Sequence, residues 1–281
     1  REVTLFYPGQ TSMEWALTGS QHGGARVFKK AGDRCFSCHE GEEAQMGEKM
    51  VNGKKAEAHP IPGKRAGIPV QVQAAHDGQN LYMRFQWPDT EHVPVPFANG
   101  GKMDPDNKIK LALMLATDEV KYAGQAGCWG TCHHDARTMP DTPNGKAVTK
   151  YIEESRTAIE VRGGADKPRG GWDKRKDDAA VKAELAAGHF MDLLRFKAGT
   201  GETENGHILA DRLMDDPAGA AEFTGGLKDG TWTVTLKRKL KPGQAGDLDL
   251  DTGKLYNIGF AVHDDYANAR FHHVSLGFKL G

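Results

Sequence analysis

All four cysteines of this chain lie in two short clusters, and each pair is followed at once by a histidine. The clusters are Cys35-Phe36-Ser37-Cys38-His39 near the start and Cys128-Trp129-Gly130-Thr131-Cys132-His133 in the middle. Cys-x-x-Cys-His is the attachment signature of c-type haem. The two thiols add across the vinyl groups of the porphyrin, and the adjacent histidine is carried beneath the iron as its proximal ligand. A chain marked in this way must fold around a rigid disc at that point, a stronger demand than any propensity makes. The first cluster matches the pattern in full. The second has three residues between its cysteines, a less common spacing. A zinc site would need a fourth ligand beyond Cys35, Cys38 and His39. A thioredoxin-like dithiol would need a βαβ setting that is absent around Cys35. For Cys128 and Cys132 a short-loop disulfide in an oxidising compartment is the alternative.

The chain has 281 residues, enough for one large domain or two smaller ones. Its hydrophobic share is 38%, and no apolar run approaches the roughly 18–20 residues that span a bilayer. Direct membrane insertion is therefore not expected, and a membrane link would come through a partner. A formal charge of −1, with both signs interspersed, gives no electrostatic case for nucleic acid. The chain opens at Arg1 rather than methionine, as expected of a mature form whose secretion signal is gone. Covalent haem attachment in bacteria takes place outside the cytoplasmic membrane, so a periplasmic location is expected.

Residues 1–65 read as an irregular, partly helical arm bearing the first cluster, punctuated by turn formers such as Pro60-Ile61-Pro62-Gly63. From residue 66 the period changes to two. Ile68, Val70, Val72 and Ala74 alternate with polar or small residues, and Asp77-Gly78 turns the chain. Leu81, Met83, Phe85 and Trp87 then share a face. Similar rows follow: Ile109, Leu111, Leu113 and Leu115; Trp232, Val234 and Leu236; Tyr256, Ile258, Phe260 and Val262; Val274, Leu276, Phe278 and Leu280. Half-buried strands joined by Gly, Pro and Asp turns predict a mainly β fold, an antiparallel β-sandwich over residues 66–281. An insertion at about 120–190 carries the second cluster, a charged stretch and a helix from about Asp177 to Ala187, ended by Gly188.

Several stretches resemble a known family: Val70 to Asp89, Cys128 to Pro140, Met191 to Ala198 and Phe260 to Leu276. They are similar to the haem-binding domain shared by c-552-type cytochromes and the γ subunits of ethylbenzene dehydrogenase and dimethyl sulfide dehydrogenase. The resemblance covers roughly residues 66–281, and the arm carrying Cys35 is additional to the γ subunits. It implies a β-sandwich holding a haem at one end and passing electrons for a molybdenum enzyme. Those γ subunits hold their haem between methionine and lysine. The methionine position falls at Cys132-His133 here, and the lysine position at Lys197, where Phe196 replaces a tryptophan. The resemblance thus implies His133 with Lys197 opposite it.

His39 and His133 follow from the attachment motif as iron ligands. Opposite His39, His22 leads: a Gly-containing segment separates it from Cys35, and Gly23-Gly24 allows close backbone approach. Met46, Met50 and His59 are alternatives, methionine being the choice that would raise the potential. Met191, Leu193, Arg195 and Lys197 lie on one side of a predicted strand, so Met191 shares the face of Lys197. A lysine ligand must be neutral, which burial encourages. His134, next to His133, cannot serve the same iron; it, His272 and His273 are candidates for the other haem or a propionate, and His76 reads as a packed core histidine. Arg26, Arg34, Arg137 and Arg195 are candidate propionate partners, and Met103 and Trp129 candidate shields.

The expected function is a dihaem c-type cytochrome, with two covalently attached haems c. It would relay single electrons between a quinol-oxidising membrane complex and a terminal oxidoreductase of the molybdenum type, and would not itself be an enzyme. One alternative is a haem enzyme with one open iron site acting on a small molecule. Another is a monohaem binding subunit with a Cys128–Cys132 disulfide.

Overall fold

In the computed structural model the described residues are 1–9, 11–55, 60, 63–90, 109–134, 150–162, 169–216, 220–263 and 272–281. Their strands are β1 (Glu2–Phe6), β2 (Gly67–His76), β3 (Asn80–Pro88), β4 (Ile109–Ala116), β5 (Met191–Lys197), β6 (Glu202–Ile208), β7 (Arg212–Asp216), β8 (Ala221–Lys228), β9 (Thr231–Lys239), β10 (Tyr256–His263), β11 (His272–Val274) and β12 (Phe278–Leu280). The helices are α1 (Met13–Ala16), α2 (Ala25–Ala31), α3 (Cys35–His39), α4 (Glu43–Val51), α5 (Ala123–Thr131) and α6 (Asp178–Ala186). The fold is mainly antiparallel β with N-terminal helices, as the alternation predicted.

The strands form one sheet in the order β7-β6-β5-β4-β10-β11-β1-β2-β3-β9-β8, with β12 added to β10. The sandwich is made by this single sheet curling over on itself. Phe85 of β3 and Phe260 of β10, far apart in strand order, meet edge to face with ring centres 5.2 Å apart. Where the two ends of the sheet approach, the backbone N–H of Phe223 on β8 donates to Thr203 Oγ1 on β6 at 2.7 Å. The inner face carries the predicted rows: Leu81, Met83, Phe85 and Trp87, with Trp232, Val234 and Leu236 from the paired strand β9, are all buried. Each such side chain contributes about 1.5–3 kcal/mol by leaving water.

Three local findings depart from the expectations. Residues 2–6, counted with the arm, form β1 between β2 and β11, so the first strand of the chain lies inside the sheet. Val274 to Leu280, read as one strand, breaks into β11 and β12 on either side of Gly277. His76, read as a packed core histidine, is exposed, because the second half of β2 runs beyond the core and its side chains from Gln73 onward face solvent.

The sheet is buried on both faces around β4 and β10, because α5 packs across their outer side. Glycines make that approach possible. Gly127, in a left-handed conformation at φ 73°, kinks the helix one residue before Cys128, and a Cβ there would stand 2.6 Å from the Cα of Gly277. On β10 a Cβ at Gly259 would stand 3.0 Å from the Cβ of Cys128. Such separations leave no room for a side chain, so the attachment helix is seated directly on the sheet backbone.

The helix predicted in the insertion is present as α6. Asp177 caps it by accepting a 2.8 Å hydrogen bond from the Ala180 N–H, and Gly188 follows at φ 83°.

Candidate haem centres

The first centre is built on the helical arm. The run from Cys35 to His39 forms the single-turn helix α3, which places Cys35, Cys38 and His39 along one short segment. Two cavities, of about 250 and 200 Å³, flank it, and His22, Gly23, Cys35 and His39 line both. The imidazoles of His22 and His39 lie with ring centres 6.1 Å apart and planes tilted by 36°. Two imidazoles ligating one metal at about 2 Å per bond have ring centres roughly 6 Å apart, so the spacing fits axial ligation. Each ring is also oriented from behind. His22 Nδ1 lies 2.9 Å from the carbonyl oxygen of Ala16, which can only accept, so Nδ1 carries the proton and Nε2 keeps its lone pair. His39 Nδ1 lies 3.1 Å from the Glu42 carboxylate in the same role. Met46 and Met50 line the second of these cavities beside the histidines. His59 lies outside the described residues.

The thiol of Cys35 is pushed up to about 12, first by burial and then by its neighbour Cys38. Burial, and then Cys132, drive Cys128 up as well. Both thiols thus sit where a thiolate is penalised, a cost that an uncharged thioether escapes. All four cysteines are free thiols, Cys128 and Cys132 fully buried, so the disulfide alternative has no counterpart here.

The second centre lies on the outer face of β4, β5, β10 and β11, against the end of α5. His133 is buried, and its pKa is pushed well down by burial and then by the charges of Lys150 and His134. It is thereby held neutral, the ligating form of imidazole. A cavity of about 70 Å³ is lined by His133, Lys150, Arg195, Arg212, His263 and His272 among apolar residues that include Met114 and Trp129. The His133 and His272 rings have centres 5.7 Å apart, and His272 stacks on its cross-strand partner His263 at 5.2 Å. Lys150 Nζ stands 2.8 Å from His133 Nε2, and burial pushes its pKa down. Two thiols, an adjacent neutral histidine and a facing histidine fit the donor set of a covalently bound haem. The cavity between them is small, and the long side chains of Lys150, Arg195 and Arg212 are part of its lining.

The other sequence candidates fall elsewhere. Lys197 shares the outer face of β5 with Arg195, but its Nζ lies 2.7 Å from Glu204 and 3.7 Å from Glu202, and it does not line the cavity of His133. Arg195 does line it and is paired with Glu204 at 2.5 Å. Met191 is fully buried in the sheet. His273 points to the opposite face, its Nε2 2.9 Å from the Arg65 carbonyl oxygen. His134 is held by Glu14 at 2.5 Å, both nearly fully buried, and stacks on Tyr151 at 5.2 Å. Burial raises the pKa of Glu14, but the hydrogen bond and charge of His134 outweigh it and the net direction is down. Arg34 spends its guanidinium on the carbonyl oxygens of Gly124 and Gly277, at 3.0 and 3.1 Å, tying α3 to α5. Arg26 is exposed, and Arg137 and Met103 lie outside the described residues.

Sequence reasoning missed Lys150, His263 and Arg212. His263 had a readable signal, standing at the end of a strand whose other face was already assigned to the core. Lys150 had none.

Comparison with known proteins shows the family of the chain. The family model described as ethylbenzene dehydrogenase matches residues 43–224 and 200–275. The chain is 42% identical over 282 aligned residues to cytochrome c-552 of Stutzerimonas stutzeri, covering all of this chain and 84% of that protein. It is 32% identical over 282 aligned residues to cytochrome c-551 of Rhodocyclus tenuis, covering all of this chain and 91% of that protein. The chain therefore belongs to the ethylbenzene dehydrogenase family, and within it resembles the cytochromes c-552 and c-551 along its whole length.

Proposed function

We propose that this protein is a dihaem c-type cytochrome of the periplasm that relays single electrons. The observation carrying this reading is the His22–His39 pair, two oriented imidazoles at ligating separation beside Cys35 and Cys38. Were an iron held by both imidazoles, it would change valence with no place for a substrate, which favours a relay over an enzyme. The names of the relatives point the same way. Haem supplies the redox couple when bound. The protein holds the ligands in one tautomer, and packs Phe6, Met46, Met50 and Trp129 around the first centre to keep water away.

At the second centre His133 and His272 would hold the iron, and Lys150 and Arg212, which line the same cavity, would supply positive charge to the carboxylates of a bound haem. The donor is a quinol-oxidising membrane complex and the acceptor a terminal oxidoreductase of the molybdenum type. Both partners are read by analogy with the family resemblance of the sequence.

A pyridine haemochrome assay set against protein concentration tests the reading, with two haems per chain expected and one overturning it. Carbon monoxide and cyanide binding test the relay. Slow or absent binding at both irons is expected, and rapid binding at one would turn the reading toward a haem enzyme.

A further inference from the structure

The two centres share one residue. Trp129 lines the cavity that holds His133 and His272, and it also lines the cavity that holds His22, Cys35 and His39. Among the described residues no other belongs to both linings. We propose that Trp129 is the bridge through which electrons cross between the two haem centres, an inference that rests on the dihaem reading above.

Three features support it. Trp129 sits between Cys128 and Cys132, so its backbone is tied to the second attachment point. Its indole makes edge contacts in both directions, 5.5 Å to the ring of Phe6 in the first cavity wall and 5.7 Å to the imidazole of His133. It is only 8% exposed, and among the described residues its Nε1–H has no hydrogen-bond partner. A buried donor without a partner is costly unless a bound group accepts from it, and a haem carboxylate is such a group.

The mounting is rigid. Arg34, directly before Cys35, binds the carbonyl oxygens of Gly124 on α5 and of Gly277, and Gly127 is pressed onto Gly277. The two attachment helices therefore cannot separate without breaking charged hydrogen bonds. In the transfer one ferrous iron is oxidised to ferric and the other, ferric iron is reduced to ferrous. No proton moves and Trp129 ends unchanged.

The experiment uses the full chain carrying its haems. One centre is photoreduced by an attached ruthenium complex, and equilibration with the other is followed optically in wild type, Trp129→Phe, Trp129→Met and Trp129→Leu. Haem content and both reduction potentials are measured alongside. Phenylalanine is expected to keep most of the rate. Methionine and leucine are expected to slow it several-fold at unchanged potentials and two haems per chain. Equal rates in the phenylalanine and methionine variants, or a wild-type rate with leucine, would overturn the proposal. Should the leucine variant lose a haem, the phenylalanine and methionine pair, which fill nearly the same space, still decides. One haem in wild type would instead sink the dihaem reading itself.

Discussion

Gly24 and His22 are in such close contact that a Cβ on Gly24 would stand 3.0 Å from Cε1 and 3.2 Å from Nε2 of the imidazole. The nitrogen so approached is the one left free to ligate, since Nδ1 is held by Ala16. Gly24→Ala is therefore expected to push the ring off its axis and open the first centre. Loss of one low-spin ferric signal in electron paramagnetic resonance, with new carbon monoxide binding, is the expected result. Gly23→Ala is the control, because a Cβ there meets nothing within 4 Å.

His22→Met probes the same position by chemistry. Thioether in place of imidazole raises a haem potential, so one of the two steps in a redox titration should move upward. An unmoved potential would mean that Met46 or Met50, already in the cavity wall, is the ligand.

At the second centre the histidine of β11 and the lysine of β5 make opposite predictions. His272→Ala should change the low-spin spectrum of that haem. Lys197→Ala should leave it unchanged, because Lys197 is engaged by Glu204 and Glu202. The reverse outcome in ultraviolet–visible and near-infrared spectra would restore Lys197 as the ligand.

Asp192 of β5 and Arg238 of β9 form a buried ion pair inside the curled sheet, and Asp192 also accepts from the Leu248 N–H at 3.0 Å. Burial raises the Asp192 pKa to about 6 despite the nearby guanidinium. A carboxyl that holds its proton more tightly folded than unfolded lends stability that is present below its unfolded pKa and lost as pH climbs through the folded one. Denaturant unfolding should therefore show the stability from this group falling as pH rises from 4 through 6. The Asp192→Asn variant should lack that slope.

Arg34→Ala removes two hydrogen bonds from a charged donor to backbone carbonyls. Bonds of this kind contribute about 1.5–3 kcal/mol each at most. Urea denaturation should register a loss of that order, and proteolysis should cut the arm between α2 and α3 faster than in the parent.

Much of this fold was legible because one face of each strand met the core. Leu81, Met83, Phe85 and Trp87 alternate plainly, and the Asp177 cap and Gly188 stop bracket α6 without ambiguity. The rest was hidden where a second layer covers the sheet. Lys110, Asn257 and His263 are polar residues outside the apolar rows of β4 and β10, yet all are buried. β1 went unseen because five residues are too few to establish a period. Of the centres, the attachment residues and the local partner His22 could be read along the chain. His272 could be singled out with His273 as one of two candidates, but only strand register sets it beside His263 and assigns it to the second centre.

The complete enclosure of Cys128 and Cys132 bears on how the protein is made. With no surface of either sulfur-bearing residue reaching solvent, a maturation enzyme could not deliver a prosthetic group there after the polypeptide has closed. Whatever bond those sulfurs form must be laid down while α5 is still off the sheet, which makes ligation an early event and folding its sequel. The exposed Cys38 imposes no such order, so a stalled biogenesis should leave chains loaded at the first motif and unfinished at the second.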